Sequence, residues 1–284
     1  MADFFNRKIQ VKVLSGKEEI TIPQSIDEIK PIRITFSVEV TNNSAQPFNS
    51  TITIYNLSKS TRSFIRDQGQ SVELFAGYAD NVSLIFTGKI TRLLVDEKQS
   101  LVDNQRVATD ITTKITLADA IFDIHQTVFK RFYSGVASIR SIVSDVLDGV
   151  GLAVIGLNNI PDINFLNFAF DGRSSDAIDQ ILTKTGVTWV IDRTVVIFSK
   201  AGGRVNSNKV IVNAGTGLLT ASRTEGGGVR FKTLLNINLS LSSTIKIKSE
   251  TIEGEFKVIS ISHRGDNEQG EFSTEVEAIN FVSE

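Results

Sequence analysis

The stretch that most constrains the fold is 254–278, GEFKVISISHRGDNEQGEFSTEVEA, because it alternates on both sides of a polar insert. Phe256, Val258, Ile259 and Ile261 keep a mostly two-residue apolar rhythm. Thr274, Val276 and Ala278 alternate with Ser273, Glu275 and Glu277. Side chains of a strand point alternately to opposite faces, so this pattern predicts two half-buried strands, near 256–262 and 272–278. The insert between them, 263–270, is eight residues long with two glycines. Such a segment reverses the chain but has little to bury, and it is expected to project.

The first hundred residues carry the same period. Ile9, Val11 and Val13 alternate within 8–14, and a strand at 19–22 follows. Ile32, Ile34, Phe36, Val38 and Val40 form an unbroken stripe. After a turn cluster at 42–47 come strands at 50–57, 71–78, 83–91 and 109–117, with a short helix at 58–65 capped by Ser58 or Ser60. Seven or so short strands at this spacing imply a barrel or sandwich.

The period changes in the middle. Ile139, Ile142, Val143, Val146, Leu147 and Val150 follow helical spacing and end at Gly149 and Gly151. A second helix is expected over 174–185, capped by Ser174 or Ser175, followed by a hairpin of 187–191 and 195–198. Ala201-Gly202-Gly203 reads as a linker, after which β signals resume at 210–212, 229–234, 244–249 and the terminal hairpin. The expected organisation is mainly β with an α/β insertion: residues 1–116, a middle α/β region at 117–204, and 205–284.

Composition narrows function. Thirty basic residues stand against 32 acidic ones, which gives no nucleic-acid or acidic-membrane footprint. Zero cysteines exclude disulfides and thiolate-held metals, and two histidines argue against a multi-histidine metal centre. No cofactor or metal is expected. No run of about twenty apolar residues predicts a membrane span, and the first eight residues lack a secretory core.

The terminal hairpin resembles that of baseplate hub proteins from contractile-tailed bacteriophages, through Val258, His263, Gly265, Asp266, Gly270, Phe272, Thr274 and Ala278. Further blocks are similar in order: STITIYNL at 50–57, VELFAGY at 72–78, IFTGKI at 85–90, the helix-then-hairpin run at 175–197, and GLL with GVRFKTLLN at 217–236. Where the family continues as Asn-Pro and a later Pro-Gly turn, this chain has Ile237 and Leu241-Ser242-Ser243. The resemblance implies a homotrimer at the distal end of the tail tube, each subunit carrying two tube-like β-barrel domains flanking a small α/β lobe. Three subunits would then continue a hexameric tube as a quasi-sixfold ring and seat a trimeric spike below, around an axial channel for DNA. Type VI secretion spikes and pyocin hubs are similar in architecture. The implied location is the virion baseplate, assembled in the host bacterial cytoplasm beside tube, spike and other baseplate proteins.

Candidate chemistry is sparse. His263 beside Asp266 could act as a general base, but neighbouring residues of a strand point opposite ways and no nucleophile is suitably spaced, so a glycine-assisted turn is the favoured reading. The Arg264-Gly265-Asp266 triplet is too short to carry an integrin-type reading. Asp119, Asp123 and His125 offer a carboxylate pair for an alternative, a tail-associated peptidoglycan hydrolase; exposed charge on a domain-joining segment is favoured. Gly226-Gly227-Gly228 lacks the Lys-Ser/Thr and helix of a phosphate loop. Trp189 reads as core, and a carbohydrate-binding β protein would want more exposed aromatics than one Trp and three Tyr. No catalytic residue is expected. The polar residues His263, Arg264, Gly265, Asp266 and Glu268 are the expected partner-binding group, because they exceed what a simple reversal needs.

Overall fold

The computed structural model describes residues 6–16, 18–27, 32–41, 50–67, 69–102, 105–119, 121–183, 185–200, 209–241 and 243–281. The turn cluster expected at 42–47 and the linker expected at 201–203 lie outside them, as does the side chain of Asp123.

The N-terminal region holds β1 (Arg7–Leu14), β2 (Glu19–Ile22), β3 (Ile34–Thr41), β4 (Ser50–Tyr55), the helix α1 (Lys59–Asp67), β5 (Ser71–Tyr78), β6 (Asn81–Val102) and β7 (Gln105–Asp119). The sequence period explains the packing. In β3, Ile34, Phe36, Val38 and Val40 are buried while Ser37 and Glu39 are exposed. Ser58 caps α1 by accepting from Thr61 N at 3.1 Å, and Ile65 enters the core.

The middle region holds α2 (Ile121–Gln126), β8 (Val128–Phe132), β9 (Val136–Ser138), α3 (Ile139–Asp148), β10 (Ala153–Ile155), β11 (Asn164–Leu166), β12 (Ala169–Arg173), α4 (Ser174–Leu182), β13 (Val187–Asp192) and β14 (Val195–Lys200). Its helices bury the stripes their period dictates, Ile142, Val143 and Val146 on α3 and Ala177, Ile178 and Ile181 on α4. Together with Ile124, Phe129 and Phe198 these form a second hydrophobic core. Ser138 caps α3 through Ser141 N at 3.1 Å. The cap expected of Ser174 or Ser175 is not made: α4 begins after Arg173 with no side-chain cap, and both serines are buried inside its first turn. Ser175 instead meets Nδ1 of His125 at 2.7 Å.

The C-terminal region holds β15 (Lys209–Asn213), β16 (Leu218–Arg223), β17 (Val229–Leu234), β18 (Thr244–Lys248), β19 (Glu253–Asp266) and β20 (Phe272–Asn280). Gly226–Gly228 is a turn between β16 and β17, with Gly227 at φ 80° donating to Thr224 O.

The two terminal regions are joined strand to strand. Their strands form one 13-stranded sheet in the order β16-β17-β20-β19-β3-β4-β7-β6-β5-β1-β2, with β15 and β18 branching off β19. Among the described residues no ladder closes either half into a barrel. The cause lies in the 14-residue length of β19. One edge of it pairs with β20; the other is shared, taking β18 at 253–257 and β3 at 260–266. The register shift between Val258 and Ser260 separates these halves at Ile259, a bulge that bends the strand from one partner to the next. The middle region sits against this sheet through Val190 and Ile197.

Candidate assembly interface

Of the residues expected to form a projecting polar tip, His263 and Gly265 are buried, and the exposed run is confined to 268–270 beyond Arg264. β19 continues as strand through Asp266, so only 267–270 turn. His263 pairs across to Val38 on one side and Thr274 on the other, is 3% exposed, and shares a 2.9 Å hydrogen bond between Nδ1 and Thr274 Oγ1. Burial first, then the nearby Arg193 charge, pushes this imidazole down to about 3. It is neutral over the physiological range and belongs to the core. A third strand, supplied from more than 220 residues away, covers what composition alone reads as a solvent tip.

Gly265 is fixed by close approach. A Cβ there would lie 2.5 Å from the Phe36 ring and 2.9 Å from Phe272. Phe272 packs edge-on against Tyr78 at 5.1 Å and against Phe36 at 6.2 Å, and the Tyr78 hydroxyl donates to Phe272 O at 3.2 Å. The Arg-Gly-Asp triplet is therefore strand, its glycine filled over by aromatic rings.

Asp266 organises the turn. Its Oδ1 accepts from Glu268 N at 2.9 Å and Gln269 N at 3.3 Å, and its Oδ2 takes Arg33 at 2.7 Å. Burial raises this carboxyl, but the Arg33 hydrogen bond and the two backbone donors outweigh it and hold it below the usual carboxylate range. Asn267 bonds Ile34 N and Ile32 O through its amide, both at 2.9 Å. Arg7 donates to Asp266 O at 3.2 Å and Gly270 O at 3.0 Å while lying over the Phe272 ring. Three segments far apart in the chain are thus clasped at one corner. Of the expected partner-binding set, Arg264 and Glu268 are exposed, whereas His263 and Gly265 are buried and Asp266 is held by Arg33. Asn267, Arg7 and Arg33 complete the clasp and were not singled out from the sequence, since nothing local marks residues whose partners lie 230 positions away or more.

The other candidates are placed apart. Asp119 ends β7 in a buried position, and His125 is half-buried against Ser175, lowered mainly by burial. Trp189 is partly buried on the middle core and donates to Asp179 at 2.7 Å. Among the described residues no three His, Asp or Glu side chains gather as metal ligands, and no helix is long and apolar enough to cross a membrane. A groove of about 1140 Å³ opens between 77–81, β15 and the segment near Asn236 and Asn238. Its lining mixes the apolar Val210, Ile211, Leu235 and Ile237 with Asn81, Asn236, Asn238 and Lys209, and Asp80 is its one carboxylate.

A family model described as baseplate hub gp41 matches residues 9–278. Curated protein sequences give no match. Solved structures share the fold at low identity. The 43 kDa tail protein of prophage MuSo2 from Shewanella oneidensis superposes with a TM-score of 0.60 at 9% identity, over 96% of this chain and 97% of that one. A tail protein from Neisseria meningitidis MC58 gives 0.58 at 8% identity, over 96% of each. The Escherichia coli c3393 protein, a type VI secretion component described as similar to phage T4 tail proteins gp27 and gp5, gives 0.57 at 9% identity, over 90% of this chain and 76% of that one. With a match running from β1 to β20 on a fold shared with tail proteins, the chain belongs to the baseplate hub gp41 family and is a structural protein of the phage tail baseplate.

Proposed function

We propose that this hub is a symmetry adapter: three copies form a ring that receives a hexameric tail tube on one side and a trimeric spike on the other, leaving an axial passage for DNA. The observation that carries the reading is the β3–β19 junction. It joins two β regions of one chain into a single hydrogen-bonded sheet, so that three subunits would present six β regions in fixed relation. A net charge of −2 also suits the passage, since strongly positive walls would hold DNA by its phosphates.

Residues 1–116 and 205–284 are the two tube-facing parts of this proposal and 117–204 the separate lobe; the second hydrophobic core supports that division. Arg264 and Glu268, exposed beside the Arg33–Asp266 clasp, are the contact residues we assign to a neighbouring tail subunit. The protein works without catalysis and is assembled in the host cytoplasm before joining the virion. Electron cryomicroscopy of assembled tails tests this reading. Three hub copies below the last sixfold tube ring are expected; six copies, or a single one, would overturn it.

A further inference from the structure

β6 and β7 run past the rest of their sheet. β5 accompanies β6 as far as Lys89, and β4 accompanies β7 from Leu117 to Thr112, where Asn56 N adds a last bond to Ile111 O at 2.7 Å. Beyond that point the ladder continues from Lys98 opposite Asp110 to Val102 opposite Gln105. Among the described residues no third strand pairs with this arm. At about 3.3 Å of rise per residue, it stands roughly 15 Å clear of the sheet that supports its root. Register shifts at Ile90/Arg92 and Lys98/Gln99 bend it along the way. A two-stranded ribbon is marginal in water by itself, and its two outer edges present backbone groups ready to take another strand.

The groove beside Asn81 offers such a strand. Lys209, Val210 and Ile211 of β15 line it in succession. Neighbouring side chains of a strand point to opposite faces, so three in a row reach one groove where the strand turns its edge toward it. β15 pairs with β18 alone among the described residues, which leaves that edge to a partner. The groove's other wall, from Gly77 to Asn81, is the turn between β5 and β6. Asn81 opens β6 and Val102 ends it, so groove and arm tip lie at the two ends of one strand, roughly 70 Å of strand apart. The arm cannot fill the groove of its own chain.

We infer that the β6–β7 arm of one copy adds as a strand to β15 in the groove of the next copy, an inference that rests on the trimeric reading above. The contact joins two different surfaces, so its repetition about an axis closes a ring of three and not a twofold pair. Main-chain pairing along the β15 edge holds the arm, and the apolar lining from Val210, Ile211 and Leu235 fits around it. Charge agrees. By sequence the tip, 98–106, carries Lys98 and Arg106 against Asp103. The groove carries Asp80 beside a Lys209 already paired with Glu255 at 2.5 Å. The two charges are opposite and small, which sets register without attracting a polyanion or an anionic membrane.

The chain has no cysteine, so engineered ones report cleanly. One full chain is made with Ser100→Cys on the arm and another with Asn238→Cys in the groove, and each is treated with a short bismaleimide alone and after mixing. The mixture is expected to give a linked pair of chains that neither gives alone, and a chain carrying both cysteines should run on to a linked three-chain species. A link formed by Ser100→Cys alone puts arm against arm, and no link in the mixture leaves the groove unfilled; either result overturns the inference. Sedimentation velocity over a concentration series gives an independent reading. Wild type is expected to reach a three-subunit species. A variant in which Asn-Gly replaces 98–110, closing Glu97 onto Ile111 with a two-residue turn, should need at least tenfold higher concentration while melting at the wild-type midpoint. Asp80→Lys, which leaves the arm whole, should need severalfold more. A wild-type trimer with both variants assembling normally overturns the arm contact and leaves the trimer standing. A wild type that stays monomeric overturns the arm contact as well, and three hub copies in assembled tails would then keep the trimeric reading. Tails without threefold hubs overturn both.

Discussion

The terminal sheet and the middle region are built on opposite plans from the same alternating code. The sheet is closed by distance: β3 and β19 meet across more than 200 residues, and their junction swallows a histidine and a glycine that look destined for solvent. The middle region is closed locally, with short ribbons and three helices around a core drawn from residues 124–198. It leaves Val128, Phe132, Val136 and Leu166 facing outward. Long-range pairing builds the frame, and local pairing builds the lobe.

Acid should separate the two regions most strongly, because the chain has two histidines, one in each. Burial holds His263 at about 3 against an ordinary 6.5, so between those values the unfolded chain takes up a proton that the folded one refuses. The contribution of His263 to stability is complete above pH 6.5 and is lost as pH drops toward 3, on the order of 5 kcal/mol at about 1.36 kcal/mol per unit. His125 is lowered in the same direction but only half-buried, and it should add less. Urea unfolding of His263→Gln and His125→Gln across pH 4–7 checks this. The His263 variant should lose most of the slope and the His125 variant little. Equal losses would break the contrast.

Next in size is Phe272→Ala, which empties the space between Tyr78 and Phe36. It should cost about 4 kcal/mol as a buried aromatic truncation. The single tryptophan, Trp189, lies in the middle region, so its fluorescence reports the lobe while far-ultraviolet circular dichroism reports mainly the sheet. The dichroism midpoint should fall further than the fluorescence midpoint. Coincident shifts would mean that contact through Val190 and Ile197 makes the two regions one cooperative unit. Gly265→Ala is expected to be smaller, about 2 kcal/mol, since the new methyl must displace the Phe36 ring. A neutral result would show that the aromatic corner yields freely.

These contrasts also mark what the sequence discloses. The stripes of β1, β3, β5 and β17, the helices α3 and α4, and the β13–β14 hairpin are legible because each is decided by its own side-chain period. The course of 263–266 is not, because its burial depends on β3, and no local pattern states which distant strand will cover a polar run. The same holds for the single sheet, which depends on one long strand sharing an edge between two partners. β8, β9, β11 and β12 escaped notice because ribbons of three to five residues, exposed on one face, leave too short a period to detect. Exposed valines and leucines on such ribbons read as noise until the register places them together.

One chain supplies two β regions locked in one sheet, and we propose that three chains thereby match a sixfold tube. Native mass spectrometry of the hub bound to its tube protein tests it most directly. The account predicts a complex of three hub chains with six tube chains; six hub chains per six tube chains would contradict it.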